Sequence, residues 1–171
     1  MRPATIAFVL LAAGPLRAEG GPLPLIDERL ELMRDEAAWR YARNAPVEDL
    51  AREAISLQRA MVDAQAIGLD PGAARAFFTA KNAAEKEIQS CFMHRWSMGE
   101  EDPPEMVPDM SGELRPRLFE LEFEILDAIL AYDGPPITAE IFFEAVAVDC
   151  LSPDTAEALR SGLTDFFELE E

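Results

Sequence analysis

Strand signals are almost absent from this chain, and its apolar residues recur at intervals of three and four between regularly placed breakers. That periodicity commits it to helices packed on helices. Leu25, Ile26, Leu30, Met33, Ala37 and Tyr41 mark the apolar stripe of a first helix from about Pro24 to Arg43. Pro46 lies near the first turn of a second helix, with Glu48 and Asp49 behind it. That helix lasts to about Ile67 and stops at Gly68, and Asp70-Pro71 then caps a third that continues to about Trp96. Gly99 to Gly112, with three prolines and five acids, reads as a loop. A fourth helix runs from about Leu114 to Ala131 with Pro116 in its first turn. Thr138 caps a fifth, with Ile137 and Phe142 spaced as a hydrophobic staple, and Ser152-Pro153 caps a sixth that fades into Phe166 and Phe167. No repeat and no low-complexity stretch is visible. The expectation is an all-α, single-domain bundle of about six helices, for which 171 residues supply enough core.

The first eighteen residues read differently. Met1-Arg2, the apolar run Ile6 to Ala13, the breakers Gly14-Pro15 and the small Ala18 have the layout of a signal peptide cleaved after Ala18. Eight apolar residues are too few for a membrane span, which takes about 20 in a helix. A mature domain of residues 19–171, free in the periplasm or secreted, is expected. An oxidising compartment also opens a choice for Cys91 and Cys150, either a disulfide closing a loop of roughly 60 residues or two buried thiols.

Charge narrows the function. Fifteen Lys and Arg face thirty-three Asp and Glu, a net of -18. Cleavage would remove Arg2 and Arg17, leaving thirteen basic residues and a net charge of -20. Such a chain repels phosphate backbones and anionic lipid heads, so neither nucleic acid nor a membrane surface is an expected partner. Its single histidine, His94, and two cysteines offer no paired-histidine or cysteine-based zinc set. His94 reads as a helix-end surface group, and Glu100, Glu101 and Asp102 as a solvated loop without EF-hand spacing. The positive charge is also uneven: from Leu118 onward Arg160 is the one basic residue among fourteen acids. A site for an anion therefore belongs to the first three helices and the start of the fourth.

Arg29 and Arg40 are eleven residues apart, three turns, and project from nearly one face with Met33 and Glu36 between them. Arg52, Ser56 and Arg59 follow one another along helix two, while Lys81, Glu85 and Gln89 share a face of helix three with Lys86 adjacent. Taken with Asp27-Glu28-Arg29-Leu30, Val47-Glu48-Asp49-Leu50-Ala51-Arg52-Glu53, Gly68-Leu69-Asp70-Pro71, Ala83 to Gln89 and Leu114-Arg115-Pro116, the chain resembles the chorismate mutases of the all-helical class. The leader and the extra C-terminal helices resemble the secreted, gamma-type branch. The likeness covers residues 19–131 as a family core, with 132–171 as a C-terminal helical extension.

The resemblance implies a cofactor-free, metal-free Claisen rearrangement of the dianion chorismate to prephenate, in a protein that is often a homodimer. It implies Arg29, Arg52 and Arg115 as carboxylate clamps, Gln89 as a donor to the ether oxygen, and Arg40 where the family has a lysine donating to that oxygen. Planar guanidinium forks suit carboxylates, and an amide donates without needing to be protonated. Three positions depart from the family pattern: Arg40 itself, Ser56 where a longer amide is usual, and Glu85 where a small or hydroxyl residue is usual. Glu85 would repel a dianion unless Lys81 or an arginine neutralises it. Two outcomes stay open, an active mutase with an altered lysine position and an inactive relative kept as a periplasmic binding or interaction protein.

Overall fold

The computed structural model describes residues 21–168; the expected leader, 1–18, lies outside the described residues. Six α-helices and no strand occur among the described residues: α1 Leu23–Tyr41, α2 Leu50–Ala66, α3 Pro71–Met98, α4 Arg115–Leu130, α5 Ala139–Ala145 and α6 Pro153–Glu168. The all-α class and the six-helix count follow the periodicity.

Side-chain caps mark where four of the six helices, α2, α3, α5 and α6, start. The Asp70 carboxylate accepts from Ala73 N at 2.8 Å, Thr138 Oγ1 from Ile141 N at 3.3 Å, and Ser152 Oγ from Thr155 N at 3.3 Å. Helix α2 begins at Leu50, later than the Pro46 start expected, because Asp49 is the residue whose side chain accepts from Arg52 N, at 3.0 Å. Glu53 reaches back to Asp49 N at 3.1 Å, completing a reciprocal cap. Gly99, at φ 71°, closes α3 in the left-handed conformation that glycine adopts without a steric penalty. The end of the expected loop is helical after all. Met110–Leu114 forms one wide turn, with Leu114 N donating to Asp109 O at 3.1 Å, and this turn feeds directly into α4.

Helix α3 is the axis of the bundle, packed by α1, α2 and α6, while α1 also meets α4 and α5. Leu30, Met33, Phe77, Phe78, Ile88, Leu126, Leu159 and Leu163 belong to one continuous apolar cluster reaching from α1 to α6. Gly162 permits the tightest crossing: a Cβ there would stand 2.9 Å from the Phe77 Cα, so any larger residue would push α6 off α3.

The C-terminal extension is fastened to α3 at three points one turn apart. Glu87 accepts from Ser152 N at 3.1 Å, Cys91 is joined to Cys150, and Arg95 grips Asp149 at 2.7 Å. The disulfide closes a loop of 59 residues, for which the chain-entropy relation gives about 4 kcal/mol of stabilisation. Reduction, or Cys150→Ser, should lower unfolding stability by that amount in urea titrations. A loss below about 1 kcal/mol would mean that packing and polar contacts alone hold the extension.

Candidate active site

A cavity of about 270 Å³ opens between α1, α2, α3 and the start of α4. Arg29, Arg40, Arg52, Ser56, Glu85, Gln89 and Arg115, expected on four separate stretches of sequence, all line it. Cys91 and Cys150 do not line it; they join α3 to the C-terminal extension. Helical period explains the convergence. Arg29 and Arg40 occupy one face of α1, Arg52 and Ser56 one face of α2, and Lys81, Glu85 and Gln89 one face of α3. The wide turn at Met110–Leu114 sets Arg115 at the head of α4, facing the other three.

The floor of the cavity is a four-charge cluster. Arg29 is only 8% exposed and Lys81 3%. Arg29 Nε donates to Glu85 Oε1 at 2.5 Å, its Nη1 donates to the Leu118 carbonyl, and its Nη2 stands 3.4 Å from Glu122. Lys81 Nζ reaches the same two acids, Glu85 at 3.0 Å and Glu122 at 3.4 Å. Glu85 therefore has both partners named as its possible neutralisers. Burial by itself would raise the Glu85 carboxyl, but the charges of Arg29 and Lys81 outweigh it and hold the group down at about 2. Burial likewise opposes the charge on Arg29, and Glu85 and Glu122 reverse that, leaving it above its ordinary value.

The sign of the resulting pH dependence follows from Glu85. A carboxylate depressed in the folded state from 4.5 to about 2 adds stability that is present above pH 4.5. That stability drains away as pH falls toward about 2. Denaturant midpoints measured down this range should fall more steeply for the wild type than for Glu85→Gln. Parallel curves would place the acid sensitivity in other carboxylates.

Further up the wall Arg40 donates from Nε and Nη2 to Glu36, at 3.2 and 2.6 Å, and from Nη1 to the Pro46 carbonyl at 2.5 Å. Lys86 joins Glu53 at 2.8 Å, and that hydrogen bond holds the Glu53 carboxyl below its ordinary value. Gln89 is 4% exposed; its Nε2 donates only to the Met33 thioether at 3.1 Å, and its Oε1 has no partner. Among the described residues no side-chain hydrogen bond or ion pair engages Arg52, Arg59 or Arg115.

Seven cationic and six anionic side chains thus line the cavity, a near-balance that the arginine count alone conceals. Glu36 and Arg59 share the helix faces of Arg40 and Arg52 that the sequence already marks, though without a role there, while Glu122 is a lining residue that sequence does not mark. Spacing could have found it: Glu122 is seven residues from Arg115, two helical turns. No group of three or more His, Cys, Asp or Glu among the described residues is placed to hold a metal ion. Nor, among them, is any helix long and apolar enough to cross a membrane.

No protein-family model matches the chain. It is 30% identical over 123 residues to the secreted chorismate mutase of Yersinia pestis, covering 72% of this chain and 65% of that protein. It is 31% identical over 104 residues to the monofunctional chorismate mutase of Enterobacter agglomerans, covering 61% of this chain and 56% of the relative. The matched stretches therefore span less than two thirds of either relative. Among solved structures, the secreted chorismate mutase from Yersinia pestis superposes with a TM-score of 0.76 at 26% identity, covering 85% of this chain and 96% of that one.

Proposed function

We propose that this chain, related in sequence and fold to the chorismate mutases, is an exported enzyme that rearranges chorismate to prephenate without a cofactor. The observation that carries the reading is the convergence of all seven expected side chains on one cavity, with cations contributed by all four of its walls. The reaction is intramolecular: one C–O bond breaks as one C–C bond forms, and no group is transferred to the protein. The site's work is to hold the dianion in its reactive chair and to meet charge growing on the ether oxygen.

Arg52 and Arg115, with unengaged forks, clamp carboxylate. Gln89 donates to the ether oxygen. Its amide nitrogen is committed only to a thioether, a weak acceptor, so turning toward substrate sacrifices little. Arg40 stands beside it as a fork fixed at two points by Glu36 and Pro46. Arg29 acts beneath them, neutralising Glu85 and Glu122 so that the dianion meets no bare carboxylate. Because Arg40 is seated through a geometry that an ammonium cannot reproduce, Arg40→Lys should lower kcat about tenfold. A gain of that size would mean that arginine is a poor stand-in for the family's lysine.

Residues 1–18 are proposed to be a cleaved leader, which the word "secreted" in the Yersinia pestis relative's name supports. A single mature domain, 19–171, is supported by the continuous apolar cluster reaching α6, and a homodimer by exposed Ile55 and Val62, seven apart on the outer side of α2. A periplasmic binding protein without activity is the second reading, favoured by the fact that the forks of Arg29 and Arg40 already face carboxylates. Loss of chorismate's ultraviolet absorbance together with appearance of prephenate supports the enzyme. Saturable chorismate binding without turnover supports the binding protein, and the absence of both sinks the two readings together.

A further inference from the structure

We infer that Arg59 anchors the substrate in this cavity, taking one carboxylate of the dianion while Arg52 and Arg115 take the other. The inference rests on the proposed chorismate reading and goes beyond it, since neither the resemblance nor the sequence spacing assigned Arg59 a role.

A dianion has to be met at two carboxylates, and of the seven cations lining the cavity four are already engaged. Arg29 and Lys81 are held between Glu85 and Glu122, Arg40 is held by Glu36 and the Pro46 carbonyl, and Lys86 is held by Glu53. Turning Arg29 toward a ligand would strip the part-buried Glu85 and Glu122 of a partner, a cost that the new contact would have to exceed. Arg52, Arg59 and Arg115 are the cations left, and all three face the same space. Arg52 and Arg59 stand two turns apart on one face of α2, about 10 Å along its axis, with Ser56 between them. Asp63, one turn beyond Arg59, also lines the cavity but is not within ion-pair distance of it. Arg59 is exposed, so its side chain can swing inward without leaving a partner behind.

The test compares wild type, Arg59→Gln and Arg59→Lys by turnover and by calorimetric binding, with chorismate and each of its two monomethyl esters as probes. Arg59→Gln should raise KM and Kd about tenfold or more with kcat within about threefold of wild type. Arg59→Lys should recover most of that loss, and for one of the two esters the penalty should vanish. An unchanged KM in Arg59→Gln, or an equal penalty for chorismate and both esters, overturns the role of Arg59 while leaving the proposed activity standing. If the wild type binds chorismate without turning it over, the activity fails and the calorimetric comparison still decides Arg59. A wild type that neither binds nor turns over chorismate overturns both.

Discussion

Replacing Gln89 with leucine should yield a more stable protein that has lost about 10²–10³-fold in kcat. The loss follows from removing a preorganised donor aimed at developing negative charge, which typically costs that much in a water-poor site. The gain follows from burial. Gln89 is enclosed, its carbonyl oxygen has no partner, and its amide contacts only a sulfur. A leucine of similar volume removes an unsatisfied polar atom and packs against Met33, contributing about 1 kcal/mol. For a chain of this length that corresponds to about 2–4 °C in Tm. Stability and activity thus move in opposite directions, as expected where a buried group is kept for chemistry rather than for folding. Thermal unfolding and steady-state kinetics on the one variant decide it. A less stable protein with unchanged kcat would return Gln89 to the role of an ordinary core residue.

Arg29→Met should destabilise the fold by about 3–5 kcal/mol, the usual consequence of removing one partner from a buried ion cluster. Glu85 and Glu122 would be left sharing Lys81 alone, two acids against one base beneath an apolar core. The effect should be non-additive. Adding Glu85→Gln to Arg29→Met should restore a large part of the stability, because the stranded charge has gone with its partner. Denaturant titration of both single variants and the double variant measures the coupling. If Arg29→Met costs under 1 kcal/mol, or the two losses simply add, the cluster is not a unit. The proposed division of labour between Arg29 beneath and Arg52 and Arg115 above would then fail with it.

Most of the helical framework was legible because caps and periodicity are local. Asp70-Pro71, Thr138 and Ser152-Pro153 cap where their side-chain chemistry implies, and the stripe from Leu25 to Tyr41 faces the core it implies. The start of α2 was misplaced by a few residues because Pro46 and Asp49 both resemble helix openings, and only a capping hydrogen bond separates them. The wide turn at Met110–Leu114 was hidden inside a proline-rich, acidic stretch that looks like any loop.

For the site, helical spacing shows which side chains share a face, and so it grouped Arg29 with Arg40 and Lys81 with Glu85. It cannot show which carboxylates arrive from other helices. Glu122 meets Arg29 from 93 residues away, and no periodicity links α1 to α4. That one contact changes Arg29 from an available clamp into a neutralising base. The overall charge of -18 misleads in the same way, because the cavity it surrounds is close to neutral and holds three free forks.

The central claim is that this cavity rearranges chorismate, and the most direct measurement is kcat/KM for chorismate on the purified, oxidised chain lacking residues 1–18. It should be run beside Gln89→Leu from the same preparation. A wild-type value of about 10⁴ M⁻¹ s⁻¹ or higher, with prephenate as product and the variant at least about a hundredfold slower, is the result expected. A wild-type rate indistinguishable from the uncatalysed rearrangement, or a variant as fast as its parent, would contradict it.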